Sequence, residues 1–192
     1  MPDQPTLFAS PGSSAPTAIF SPCGRMRFTL HHRWSEGPTW TWVMLNPSVA
    51  GGGETRDNLD PTLRRCMGFS KAGGAGALVV VNLFPWVGQD PADLWQAMDD
   101  GVDVTGGHLG NAHFLRVTCA SRGTLVCRWG DFSKARRHHR QAAEAQAHKL
   151  LTTIRGTGRR PMALAFTRRG QPRHPLYLPA GLTPVPMEAS DA

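Results

Sequence analysis

Asn46, Asn82 and His174 are the residues whose type and position best suit chemistry. Asn46 opens Asn46-Pro47-Ser48, which ends the apolar run at 41–45, and Asn82 ends a second run at 77–81. A third run, 124–127, leads into Arg128-Trp129-Gly130, and His174 follows a fourth at 162–166. An asparagine amide offers one acceptor and two donors, enough to read the edge of a nucleobase. A histidine can donate or accept near neutral pH, and Trp129 or Phe84 could give a planar ligand a stacking face. Pro47, Ser48 and Gly130 complete the rim. Each piece alone is ordinary, since Asn-Pro-Ser is a frequent turn and a single histidine is more often a structural hydrogen bonder. Their convergence on strand ends points to a pocket, because ligands of open α/β sheets bind outside the carboxyl ends of the strands.

The elements that must position these residues alternate strand and helix. Near-continuous apolar runs read as buried parallel strands. Asp60-Pro61-Thr62 starts a helix that Gly73-Gly74 ends, and Asp90-Pro91 starts another. Further helices are predicted over 110–119 and 134–154, the last with Ala143, Ala147, Leu150, Leu151 and Ile154 as its apolar stripe. This alternation predicts a parallel sheet of about four strands covered on both faces. The segment 27–34, joined to 39–45 through Ser35-Glu36-Gly37-Pro38, reads as an antiparallel hairpin at the sheet edge.

With 192 residues the chain fits one domain, placed at 22–183, with loose Pro/Ser/Ala-rich tails at 1–21 and 184–192. The four cysteines are scattered, which suits buried free thiols in a reducing cytoplasm. No segment reads as a secretory signal or a membrane span. The net charge of +7 is polarised: residues 1–127 hold nine Lys/Arg against ten Asp/Glu, and 128–173 hold twelve against two. Such a half suits a polyanion, although a basic helix face can also be merely solvated. The Gly-rich stretches at 51–53 and 73–76 lack the phosphate-loop patterns, and Ser48 lacks the nucleophile elbow. His31-His32 and His138-His139 show no convergent metal partners in the sequence, so no metal and no cofactor is expected.

The motifs Leu45-Asn46-Pro47-Ser48, Asp60-Pro61-Thr62 with Arg64-Arg65-Cys66, and Val81-Asn82-Leu83-Phe84 resemble an uncharacterised bacterial family, domain of unknown function 1643. The closing His174-Pro175-Leu176-Tyr177-Leu178 is similar too. More distantly, Asn46-Pro47, the Asn82-to-Pro91 loop and His174-Pro175 resemble the uracil-DNA glycosylase superfamily. That resemblance implies a three-layer α/β/α sandwich and hydrolysis of the N-glycosidic bond of a flipped nucleotide. Asn46 would then hold the water and His174 would stabilise the departing base, as the catalytic pair. Pro47, Ser48, Asn82, Phe84, Trp129 and Gly130 would bind substrate, and Arg136, Arg137, Arg168 and Arg169 would hold backbone phosphates. Leu45 and Ser48 stand where the superfamily commonly has glycines. Gly88-Gln89-Asp90-Pro91 copies the start of another branch's catalytic motif, but lacks its Tyr-His and follows the second strand, so it reads as a helix start. The expected partner is nucleic acid, DNA before RNA, or a nucleotide, bound by a monomer. The alternative is a non-catalytic nucleotide or nucleic-acid binding module with the same pocket.

Overall fold

In the computed structural model, which describes residues 16–49, 60–107 and 110–187, the strand Ala77–Asn82 is buried at every position. Such a run must lie inside a sheet with both faces covered. It is β4 of seven strands, the others being β1 (Thr17–Phe20), β2 (Arg27–Arg33), β3 (Thr39–Met44), β5 (Leu125–Cys127), β6 (Met162–Ala163) and β7 (Val185–Pro186). They form one sheet in the order β1-β2-β4-β3-β5-β6-β7. The pairs β4–β3, β3–β5 and β5–β6 are parallel, while β1–β2, β2–β4 and β6–β7 are antiparallel. The described residues thus form a mixed α/β fold with seven strands, not about four. The sheet also extends into both segments read as tails, through β1 and β7.

The expected edge hairpin is not formed. β2 pairs with β4, and β4 lies between β2 and β3. The cause is burial: β2 is itself buried at five of its seven positions and cannot serve as a solvated edge. Its connection to β3 therefore passes over the start of β4. Trp34 N–H and Ser35 N–H donate to Gly76 C=O at 3.0 and 3.1 Å, and Gly76 N–H donates to Pro38 C=O at 3.0 Å. A side chain at Gly76 would collide with the carbonyl oxygens of Ser35 and Glu36, so the crossing requires glycine.

Among the described residues four α-helices cover the sheet: α1 (Pro61–Ala72), α2 (Pro91–Asp99), α3 (Asn111–Ala120) and α4 (Arg137–Gly156). On one face Trp40, Trp42, Leu78 and Val80 pack against Leu63, Cys66 and Phe69 of α1. On the other, Val43, Val81 and Leu125 pack against α2, α3 and the apolar stripe of α4. Each such fully buried side chain contributes about 1.5–3 kcal/mol. α4 starts three residues later than its pattern predicts, because 131–135 turns first, with Ser133 N–H on Asp131 Oδ1 at 3.0 Å and Phe132 at φ +53°. β6 keeps only two residues of the predicted strand; the chain then reverses, and Phe166 pairs antiparallel with Pro172.

All four cysteines are free, with Cys66, Cys119 and Cys127 buried but Cys23 exposed, contrary to the expectation for Cys23. No helix among the described residues is long and apolar enough to cross a membrane.

Candidate functional site

The hydrogen-bond ladder runs past the ends of the central strands. Leu83 N–H donates to Met44 C=O, Phe84 N–H to Leu45 C=O and Arg128 N–H to Val43 C=O, all at 2.8–2.9 Å. This brings the loops after β3, β4 and β5 together around a cavity of about 260 Å³. Asn46 and Ser48 line it from β3, residues 88–91 from β4, Arg128 and Trp129 from β5, and Asp60 and Thr62 from the start of α1. Arg27 of β2 and His174 close the wall. Gly88 N–H on Pro47 C=O at 3.1 Å ties two of these loops to each other.

Arg128 is the dominant group. It is 1% exposed, its Nη1 donates to Cys66 Sγ at 2.9 Å, and its Nη2 meets His174 Nε2 at 2.5 Å. Its Nε has no hydrogen-bond partner among the described residues. Burial pulls its pKa down, and the nearby Cys66 and Asp60 offset part of that pull. Burial likewise raises the pKa of the Cys66 thiol, so this partner is neutral. Its two hydrogen-bond partners are neutral and the nearby Asp60 offsets only part of the cost of burial, so a further anion in the cavity would be favourable to it.

His174 is set by Arg128. Much of the residue is exposed, but its Nε2 edge faces into the wall. Burial of that edge, and then the Arg128 charge, push its pKa down to about 3. Arg128 can only donate, so Nε2 accepts and the ring proton sits on Nδ1. The Leu176 N–H lies 3.4 Å from Nδ1, too long to compete with the 2.5 Å contact. His174 is therefore a neutral imidazole across the physiological range.

Arg27, 5% exposed, reaches the cavity through an irregularity in β2. Ile19 pairs with Thr29 but Phe20 pairs with Arg27, so β2 carries one extra residue there. Phe28 consequently stacks on Phe114 of α3 at 4.8 Å, while Arg27 joins Leu30 on the cavity face. Bulges of this kind re-aim side chains near functional sites.

Asp60 accepts from Thr62 N–H at 2.8 Å and Leu63 N–H at 3.1 Å through Oδ1, the predicted cap, and also lines the cavity. Asp90 caps α2 through Ala92 N–H at 2.5 Å. The segment 88–91, read from the sequence as a helix start alone, contributes to the wall as well.

Of the residues singled out in the sequence, Asn46, Ser48, Trp129 and His174 share this cavity. Asn46 Nδ2 makes a 3.4 Å contact with Pro47 C=O, and Trp129 is anchored by Nε1–H on Gln171 Oε1 at 2.8 Å. Pro47 and Gly130 support the loops from behind, Gly130 at φ +82° with its N–H on Pro172 C=O. Asn82 is buried on the same strand face as Val80, and neither end of its amide has a partner among the described residues, but it is not part of the wall. Asn111 Nδ2 pins its backbone, donating to Asn82 C=O at 2.9 Å and Leu83 C=O at 3.0 Å. Phe84 lies in the opposite core against Trp95, with ring centroids 6.5 Å apart, and does not face the cavity. Arg136 pairs with Asp99 at 3.0 Å; Arg137, Arg168 and Arg169 are exposed.

Sequence reasoning passed over Arg128 although it holds the same strand-end position as Asn46 and Asn82. Nothing in the sequence marks Arg27, whose placement depends on the bulge.

A family profile described as protein of unknown function (DUF1643) matches residues 27–176. The chain belongs to the DUF1643 family. Its match spans β2 through the turn at His174, and therefore every described wall residue of the cavity. Neither the curated proteins nor the solved structures contain a match to this DUF1643 member.

Proposed function

We propose that this DUF1643 protein receives a flipped nucleotide of DNA in the strand-end cavity and hydrolyses its N-glycosidic bond. The observation that carries this reading is Arg128, a buried cation with neutral partners beside Asn46 and Asp60 in one cavity. At about 260 Å³ the cavity lies just below the usual range for drug-sized ligands, which suits a nucleobase better than a large cofactor.

Hydrolysis breaks the bond between the sugar C1′ and the base nitrogen and leaves the electron pair on the base. Water adds its oxygen to C1′, and its protons end on the new hydroxyl and the released base. The charge that develops on the leaving base would be met by Arg128, with Arg27 as a second cation in the wall. A preorganised donor of this kind contributes about 2.7–4 kcal/mol at a transition state. Neutral His174 orients Arg128, which moves the leaving-group role from the histidine to the arginine. Asn46 would position the water, Asp60 would favour its deprotonation, and the face of Trp129 would stack on the base.

The second reading, nucleotide binding without turnover, draws on the Asn46 amide being turned toward its own Pro47 carbonyl. Assaying release of free base from uracil-, hypoxanthine- and alkyl-containing DNA separates the two readings. Release that is lost in Asn46→Ala and Arg128→Met supports hydrolysis. Salt-sensitive DNA binding without release supports the binding module, and binding to neither DNA nor RNA at low salt removes both.

A further inference from the structure

The paired histidines His138-His139, which lack a metal partner in the sequence, gain one from the fold. They lie in the first turn of α4, and Asp99 ends α2. His138 Nε2 stands 3.0 Å and His139 Nε2 2.8 Å from the same oxygen, Asp99 Oδ1. The three ligand-type atoms lie within 4.8 Å of one another. We propose that Asp99, His138 and His139 form a zinc site that clips the end of α2 to the start of α4.

The donor set fits. Two imidazole nitrogens and one carboxylate oxygen are the ligands that zinc accepts, with the fourth position left to water or an exogenous group. His139 is the fixed member: its side chain is 3% exposed and it stacks on Trp95 at 5.4 Å and 15°. His138 and Asp99, with side chains 62% and 29% exposed, leave the remaining coordination position open to solvent. Ligands at about 2.0–2.2 Å in a tetrahedron stand roughly 3.3–3.5 Å apart, so the present hydrogen-bond spacings need to widen by about half an ångström. The ion would replace the two ring protons that both now point at Asp99 Oδ1.

Three features oppose the ion. Arg136 holds Asp99 Oδ2 at 3.0 Å, Arg137 and Arg140 lie nearby in sequence, and a helix N-terminus disfavours cations. Arg136 is 74% exposed and takes the oxygen that the histidines do not use, so displacing it is inexpensive. The balance predicts moderate affinity, sensitive to this arginine.

The test titrates zinc chloride into metal-free full-length protein by calorimetry, about one unit above the usual imidazole pKa of roughly 6.5. Cobalt(II) absorption reports the coordination directly. One ion per chain is expected, weakened about tenfold or more by both His138→Gln and Asp99→Asn, and tightened by Arg136→Ala. His138 is exposed, so its variant should keep the unliganded fold, which far-UV circular dichroism checks. Absence of binding overturns the proposal, as does undiminished binding in either variant, which would place the ion elsewhere.

Discussion

Arg128 donates to His174 Nε2 at 2.5 Å, and burial of that ring edge together with this contact decides which of the two carries charge in the cavity. The arginine stays cationic and the histidine stays neutral. Their roles separate accordingly: Arg128 attracts an anion, and His174 fixes its direction.

Replacing Arg128 with methionine should therefore split stability from binding. The exchange removes a buried charge but leaves the His174 Nε2 acceptor unpaired, so the net change in stability should stay within about 1–3 kcal/mol. Charge-assisted hydrogen bonds contribute about 1.5–3 kcal/mol, so nucleotide or DNA affinity should fall roughly 10- to 100-fold. Thermal melts and equilibrium titrations on the same variant check this. A large loss of melting temperature together with intact affinity would assign Arg128 to the scaffold alone.

The pH dependence of folding should carry the signature of His174. Folded, the ring takes up a proton only near pH 3, whereas an unfolded histidine does so near roughly 6.5. Between these values the unfolded chain binds more protons, so this contribution is complete above about pH 6.5 and lost progressively toward about 3. Urea midpoints of wild type and His174→Gln, measured across that range, should diverge with rising pH and then run parallel. A constant difference across the range would show that the ring is not held neutral.

Asp60 has two separable tasks. Asp60→Asn keeps a capping oxygen for Thr62 and Leu63 but removes the negative charge beside Arg128, so stability should change little while base release falls. Asp60→Ala removes the cap as well and should cost about 1 kcal/mol more. Chemical denaturation and the base-release assay distinguish them. Equal activity in Asp60→Asn and wild type would confine Asp60 to capping.

The basic surface makes a quantitative prediction about salt. Arg168 and Arg169 lie in the turn that leads to Gln171, the partner of Trp129, while Arg136 is engaged with Asp99. Arg168→Glu and Arg169→Glu should each weaken single-stranded DNA binding and reduce the slope of log K against log salt by about 0.7. Arg136→Ala should change that slope less. Fluorescence anisotropy over a salt series gives the values.

Much of the frame was legible because it follows from local rules. Asp60-Pro61 and Gly73 bracket α1, the apolar run at 77–81 made β4 central, and Ala143 to Ile154 gave the buried stripe of α4. Pairing was less legible. That β4 inserts between β2 and β3 depends on burial of both faces of β2, which its half-polar sequence conceals. At the site, the strand-end rule found Asn46, Ser48, Trp129 and His174, but it also selected Phe84, which strand parity would place with Val80 and Asn82 and which instead turns into the opposite core once the chain leaves β4. Hydrophobic patterning treats an arginine after a strand as surface, and so it missed the most buried cation among the described residues.

The bulge in β2 makes the cavity's character depend on strand register as well as on residue identity. Regular pairing of β2 at unchanged length would put Phe28 opposite Phe20, turn Arg27 toward α3 and bring the Phe28 ring to the cavity face in its place. Loss of the bulge alone would thus exchange a doubly cationic chamber for a singly cationic one, with every wall residue from Asn46 to His174 left unaltered.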